Sequence, residues 1–303
     1  MRLVTRSDFD GLVSGALLKE AGIINDFLFV HPKDIQDGKV PVTENDVLAN
    51  VPYAKGCGLW FDHHVSEDER GAGVEFKGAS RPADSAARII YDYYGGKAKF
   101  GHMDAMMEAV DKSDSGRLTS DEVLNPTGWM MLSFIMDPRT GLGRFREYRI
   151  SNLQLMSEMI ELCRTKTAEE ILAHPDVAER VVKYKEQEKL FRELLAKHVR
   201  TDGNVIIADL RGVSEIASGN RFLIYALNPK QNISIWMVDG RAKQNVVFSV
   251  GHSIITRTSK TKVGSLMLKH GGGGHDKVGT CQVPYDKADT VLAELVAKVK
   301  SDG

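Results

Sequence analysis

Three clusters of side chains in this sequence could do chemistry together. Thr5-Arg6-Ser7-Asp8-Phe9-Asp10-Gly11 places two carboxylates two residues apart on a short loop, where they can converge on a divalent cation, and Gly11 lets the chain turn tightly into a helix. Capping of that helix by Ser7 or Asp10 is the competing use of these residues. Asp62-His63-His64 sets a carboxylate beside two imidazoles, which bind transition metals and whose tautomers a carboxylate can fix. Ala109-Val110-Asp111-Lys112-Ser113-Asp114 supplies a further acid, Asp111, near the C-terminal end of an apolar-patterned helix. There it opposes the helix dipole and calls for a cation or hydrogen bonds; Asp114 reads as a solvated turn residue.

The elements that must position these clusters alternate. Apolar runs at Leu3-Val4, Phe27-Leu28-Phe29-Val30, Val47-Leu48-Ala49 and Leu59-Trp60-Phe61 suit buried strands. Helical patterns occupy 12–20, 85–94 and 104–112, with Asp84 as the expected N-cap of the second. This order predicts a largely parallel sheet covered by helices, and in such sheets ligands sit beyond the carboxyl ends of the strands. The first two clusters fall at such ends. From about 148 to 198 the pattern is helical, broken at Pro175 and then rich in Lys and Glu, as in a domain-bridging helix. Arg200-Thr201-Asp202-Gly203-Asn204 reads as a boundary. Strands follow at Val205-Ile206-Ile207, Phe222-Leu223-Ile224-Tyr225, 233–238 and 246–250, and helices at 262–269 and 288–300.

The bulk numbers bound the answer. A chain of 303 residues suits two domains, and 42% hydrophobic with 27% charged residues is a globular composition. A net charge of −1 argues against binding nucleic acid by bulk electrostatics. Cys57, Cys163 and Cys281 match no CxxC pattern and suit buried thiols in a reducing cytoplasm. No run approaches the roughly 20 apolar residues of a membrane helix. The expectation is a cytoplasmic protein with no membrane partner, and with room for a homodimer.

In the second half, His270-Gly271-Gly272-Gly273-Gly274-His275 can expose backbone amides to an anion and admit a close-lying substrate. Arg257, Lys260, Lys262 and Lys269 concentrate positive charge before it, suiting polyphosphate or a short oligonucleotide. Arg257, Gly271, Gly272, Gly273, Gly274 and His275 are the expected substrate contacts.

The ordered set Asp-x-Asp-Gly, Asp-His-His and a later Asp resembles the DHH superfamily of phosphoesterases, and the glycine run resembles the signature of its DHH-associated domain. The resemblance spans nearly the whole chain. It implies a parallel-sheet α/β domain (1–147), a helical connector (148–202) and a smaller mixed α/β substrate-binding domain (203–303). It implies a metal-dependent phosphohydrolase of the exopolyphosphatase-like or RecJ-like kind, acting on polyphosphate, a phosphodiester or a short oligonucleotide.

Carried over by residue, Asp8 matches a ligand of a first metal, and Asp10, His63 and Asp111 match ligands of a second. The ion is usually manganese, with magnesium the alternative. Asp62 matches the acid that orients the imidazoles, and His64 the one that meets the substrate phosphate. Two positions depart from the pattern: Arg6 stands where related pyrophosphatases carry a His, and Asn50 where a bridging Asp is usual. The sequence therefore points to a one-metal variant in which Arg6 grips phosphate, or to a phosphate- or nucleotide-binding sensor that keeps the fold and has lost efficient chemistry.

Overall fold

The computed structural model describes residues 1–64 and 74–303. The chain forms two compact units, Met1–Arg117 with Pro126–Lys183, and Leu118–Asn125 with Tyr184–Gly303.

The first unit is built on a five-stranded parallel sheet. Its strands are β1 (Arg2–Thr5), β2 (Asp26–Phe29), β3 (Asp46–Ala49), β4 (Leu59–Asp62) and β5 (Gly78–Ser80), in the order β2-β1-β3-β4-β5. Leu3, Val4, Val47, Leu48, Trp60 and Phe61 are all fully or almost fully buried, as continuous apolar runs in a covered parallel sheet require. Helices α1 (Phe9–Glu20), α2 (Ala86–Tyr93), α3 (Asp104–Ser115), α4 (Gly128–Met136) and α5 (Asn152–Thr165) belong to the same unit. β1, β3 and β4 are neighbours and run the same way. Their carboxyl ends therefore bring Asp8, Asn50 and Asp62 to one edge of the sheet.

One local expectation changes, while the break in the helical run at Pro175 is present. Ser85, not Asp84, caps α2, its hydroxyl accepting from Arg88 N at 3.0 Å, while Asp84 pairs with the Arg117 guanidinium. The serine is the residue with extended backbone directly before the first helical turn, which is what a cap requires. Pro175 opens helix α6 (Pro175–His198), in keeping with proline's fit to a first turn.

The second unit carries a mixed sheet of order β10-β11-β9-β8-β7-β6, formed by β6 (Val199–Asp202), β7 (Val205–Asp209), β8 (Ile233–Asp239), β9 (Val246–His252), β10 (Gly273–His275) and β11 (Val278–Val283). β7 and β8 pair in parallel and the remaining pairs are antiparallel. Inward residues alternate along β11 and β9, and with Val263, Leu266 and Met267 and the helix Ala288–Asp302 they make one core. The run Phe222 to Tyr225, expected as a strand, is the start of helix α7 (Leu223–Leu227). Asn220 decides this locally: its side chain accepts from Phe222 N at 2.9 Å and its carbonyl from Leu223 N at 3.0 Å, which winds the chain into a helical turn.

Candidate active site

Asp8 is the N-cap of α1, accepting from Gly11 N at 3.1 Å. A Cβ on Gly11 would fall 2.0 Å from the Arg6 carbonyl oxygen, so only glycine lets α1 start this close to the strand end. Both oxygens of Asp8 are further engaged. Arg6 Nε lies 3.1 Å from Oδ2, and Asn50 Nδ2 donates to Oδ1 at 3.0 Å. Asn50 is 1% exposed and holds a left-handed φ of 55°, a conformation that asparagine tolerates better than most residues. Its own Oδ1 is buried without a hydrogen-bond partner among the described residues.

Asp10 reaches across to α2. Its two oxygens accept from Ala86 N at 2.9 Å and Ala87 N at 2.8 Å, the first free amides of that helix, where the dipole favours an anion. Burial first, then the charges of Asp114 and Asp8, push the Asp10 carboxyl well above the usual carboxylate range against these two hydrogen bonds.

Asp62 is buried at the end of β4. Its Oδ1 accepts from His64 N at 2.8 Å and lies 2.7 Å from His64 Nδ1, while its Oδ2 has no hydrogen-bond partner among the described residues. Burial alone would lower the His64 imidazole, but the hydrogen bond and charge of Asp62 outweigh it and hold it above its ordinary value.

His63 turns Nδ1 toward the Ala83 carbonyl at 3.2 Å. An Nδ1–H donated there leaves a lone pair on Nε2. That atom is buried, 3.7 Å from Asp10 Oδ2 and 3.1 Å from Asp114 Oδ2, without the alignment of a hydrogen bond.

Asp111, expected beside Asp10 and His63, is engaged elsewhere. Its Oδ1 accepts from Ser85 Oγ at 2.7 Å, and its Oδ2 takes Arg88 Nε and Nη2 at 2.8 and 2.6 Å. Asp114, read from the sequence as a solvated turn residue, is the carboxylate that faces His63. The two acids lie one turn apart on the same side of α3, and the spacing alone does not say which one reaches the strand ends. Burial, opposed by His63 and reinforced by Asp8, lifts the Asp114 carboxyl above the usual range.

These residues fit a cation. Asp10, His63 and Asp114 each offer an atom within 4.8 Å of the others, as do Asp62, His63 and His64. Buried acceptors without a hydrogen-bond partner among the described residues (His63 Nε2, Asp62 Oδ2, Asn50 Oδ1) and two carboxyls with raised affinity for protons are what a site looks like when its charge is balanced only by a bound dication.

The glycine run lies in the second unit. Gly273 to His275 form β10, paired with β11. A Cβ on Gly272 would meet Thr280 O at 2.0 Å, and one on Gly274 would meet Gly279 Cα at 2.3 Å, so these glycines serve strand contact; Gly273 faces open space. His275 and Arg257 are exposed, and Arg257 Nε donates to Ile254 O at 2.8 Å.

No family model matches the chain. Nor does any curated protein. Among solved structures, the chain is similar to the pGpG-specific phosphodiesterase PggH from Vibrio cholerae, with 48% identity, a TM-score of 0.90, and coverage of 100% of this chain and 99% of that one. It is also similar to the DHH domain of a member of the s1p family of ribosomal proteins (13% identity, TM-score 0.56, 98% of this chain and 86% of that one). RecJ from Thermus thermophilus in complex with Mn2+ matches at 14% identity and a TM-score of 0.53, over 99% of this chain and 52% of that one. At such identities the last two show the fold alone.

Proposed function

This chain belongs to the DHH superfamily of phosphoesterases, and from that premise we propose that it is a metal-dependent phosphodiesterase that cleaves pGpG, a dinucleotide carrying a 5′-phosphate. The observation that carries the proposal is the 48% identity, end to end, with a pGpG-specific phosphodiesterase. Of the substrate classes the sequence admits, that similarity favours the short oligonucleotide over polyphosphate. Residues 1–147 would be the catalytic domain, 148–202 the connector, and 203–303 the domain whose Arg257 and Gly271–His275 contact substrate.

Asp10, His63 and Asp114 would hold one divalent ion, manganese or magnesium by the character of an oxygen-and-imidazole donor set. When bound, the ion supplies Lewis-acid stabilisation of charge on the reacting phosphoryl group. Asp8 does not join this set, because Arg6 and Asn50 already occupy its oxygens. The Arg6 guanidinium, with 30% of its side chain exposed, takes the place of a second cation and presents its remaining N–H groups to phosphate.

Asp62 keeps the Nδ1–H of His64 and orients the ring, so that Nε2 faces outward. With its proton affinity raised, His64 carries a proton on Nε2 that it can deliver to the leaving oxygen as general acid. A cytoplasmic setting is part of the same proposal, because Cys57, Cys163 and Cys281 are all free thiols.

The test is release of GMP from pGpG by the purified protein with Mn2+, followed chromatographically beside polyphosphate and a generic diester. GMP release that chelation abolishes supports the reading. Tight pGpG binding without turnover would instead identify a sensor, the outcome that the arginine-filled first metal position favours.

A further inference from the structure

Ser85 belongs to none of the sequence clusters, yet its contacts lead to both acids that face His63. It is fully buried, in extended backbone directly before α2. Its hydroxyl works in two directions. It accepts from Arg88 N at 3.0 Å, which closes the first turn of α2, and it donates to Asp111 Oδ1 on α3 at 2.7 Å. Arg88 bonds the other oxygen of Asp111 through Nε and Nη2, at 2.8 and 2.6 Å, so α2 and α3 are joined at one carboxylate. The two amides that follow Ser85, those of Ala86 and Ala87, each take one oxygen of Asp10, at 2.9 and 2.8 Å. One turn beyond Asp111 on α3 stands Asp114, whose Oδ2 lies 3.1 Å from His63 Nε2. Asp10 Oδ2 lies 3.7 Å from the same nitrogen. The contacts therefore close into a ring that runs from Asp114 through Asp111, Ser85 and the head of α2 to Asp10, and back to His63.

We propose that Ser85 is a positioning residue that sets the spacing of Asp10 and Asp114 for the divalent ion; the inference rests on the metal reading above. A carboxylate held by two adjacent amides of one helix end is fixed in place and in plane, so Asp10 follows wherever the head of α2 goes. Two links tie that head to α3. Arg88 reaches Asp111 over a long side chain with several free torsions, whereas the Ser85 hydroxyl sits one carbon from the backbone that carries the two amides. The short link is the one that transmits position. A hydroxyl can also donate and accept at once, which this place demands. Groups that hold the ligands of a metal in place are typically worth roughly 10–100-fold in its affinity.

The experiment measures manganese affinity by titration calorimetry, and melting temperature, on the same chelator-treated proteins. Glycine starts a helix nearly as well as serine but has no hydroxyl, so Ser85→Gly should melt close to the parent and bind manganese roughly tenfold more weakly or worse. Asp111→Asn is the mirror case. An asparagine Oδ1 still accepts from the Ser85 hydroxyl, so this protein should melt lower and keep manganese affinity close to the parent's. Parent-like affinity in Ser85→Gly overturns the assignment. So does a loss of affinity that merely tracks the loss of melting temperature across the two variants, or an Asp111→Asn protein that has lost the ion. Amide hydrogen exchange in the ion-free proteins decides the point without metal: Ala86 and Ala87 should exchange faster in Ser85→Gly than in the parent, and unchanged rates overturn the proposal. If the parent binds no manganese, the metal reading falls and the exchange comparison still decides the role of Ser85.

Discussion

Arg6 and Asn50 grip opposite oxygens of Asp8, with Arg6 Nε 3.1 Å from Oδ2 and Asn50 Nδ2 3.0 Å from Oδ1. A carboxylate so occupied has little left for a metal. The parent protein should bind one manganese ion per chain in titration calorimetry. Arg6→His combined with Asn50→Asp removes both donors and adds an imidazole and a carboxylate, so a second binding event should emerge. A second tight ion in the parent, or none in the double variant, would contradict this account of Asp8.

Asp111 and Asp114 should separate cleanly. Asp114→Asn should weaken manganese binding at least tenfold, roughly the scale of losing even a supporting group at a metal. In the ion-free protein it should leave the melting temperature unchanged or higher, because it relieves repulsion with Asp10. Asp111→Asn strips Arg88 of its charged partner and should cost about 1.5–3 kcal/mol, the usual worth of hydrogen bonds to a charged group, with manganese affinity close to the parent's. Thermal melts with and without manganese test both arms, and a reversed pattern would make Asp111 the ligand.

The sequence carried the frame of this site further than its details. Continuous apolar runs marked the parallel strands, and Asp8 and Asp62 stand just past or at two of their ends because side chains at those ends have nowhere else to go. What faces His63 was not legible, since Asp111 and Asp114 share a helix face and only the packing of α3 selects between them. Asn220 was equally silent: its two hydrogen bonds turn an apolar run with strand composition into a helix.

Stability should depend on pH in a way the ion reverses. Asp10 and Asp114 both hold protons more strongly in the folded protein than free carboxyls do. Groups shifted upward contribute stability that is present below their unfolded values and is lost as pH rises through the folded ones. The ion-free protein should therefore melt at progressively lower temperature as pH rises from the ordinary carboxyl range through the raised one of this pair. Manganese should flatten this slope, and Asp114→Asn should shrink it without any metal. A melting temperature that rises with pH in the chelated protein, equally in parent and variant, would rule the carboxyl pair out as its source.

The glycine run offers a contrast of neighbours. Gly272→Val drives a side chain into Thr280 O and should destabilise the second unit by at least the 1–3 kcal/mol typical of overpacking. Gly273→Val meets open space, so the protein should fold with its melting temperature and manganese content unchanged while pGpG affinity drops several-fold. Equal affinity in the Gly273→Val protein would remove this strand from the substrate contacts.

The paired hydrogen bonds from Ala86 and Ala87 to Asp10 also bear on the order of events when the chain folds. They join groups 76 and 77 residues apart, so closing that contact fixes a long segment of chain at once. Until α2 docks there, Asp10 has no partner to aim it at His63. Metal capture during refolding thus reports on the closure of this loop: ion uptake should lag behind early helix formation and coincide with the last, long-range phase of folding.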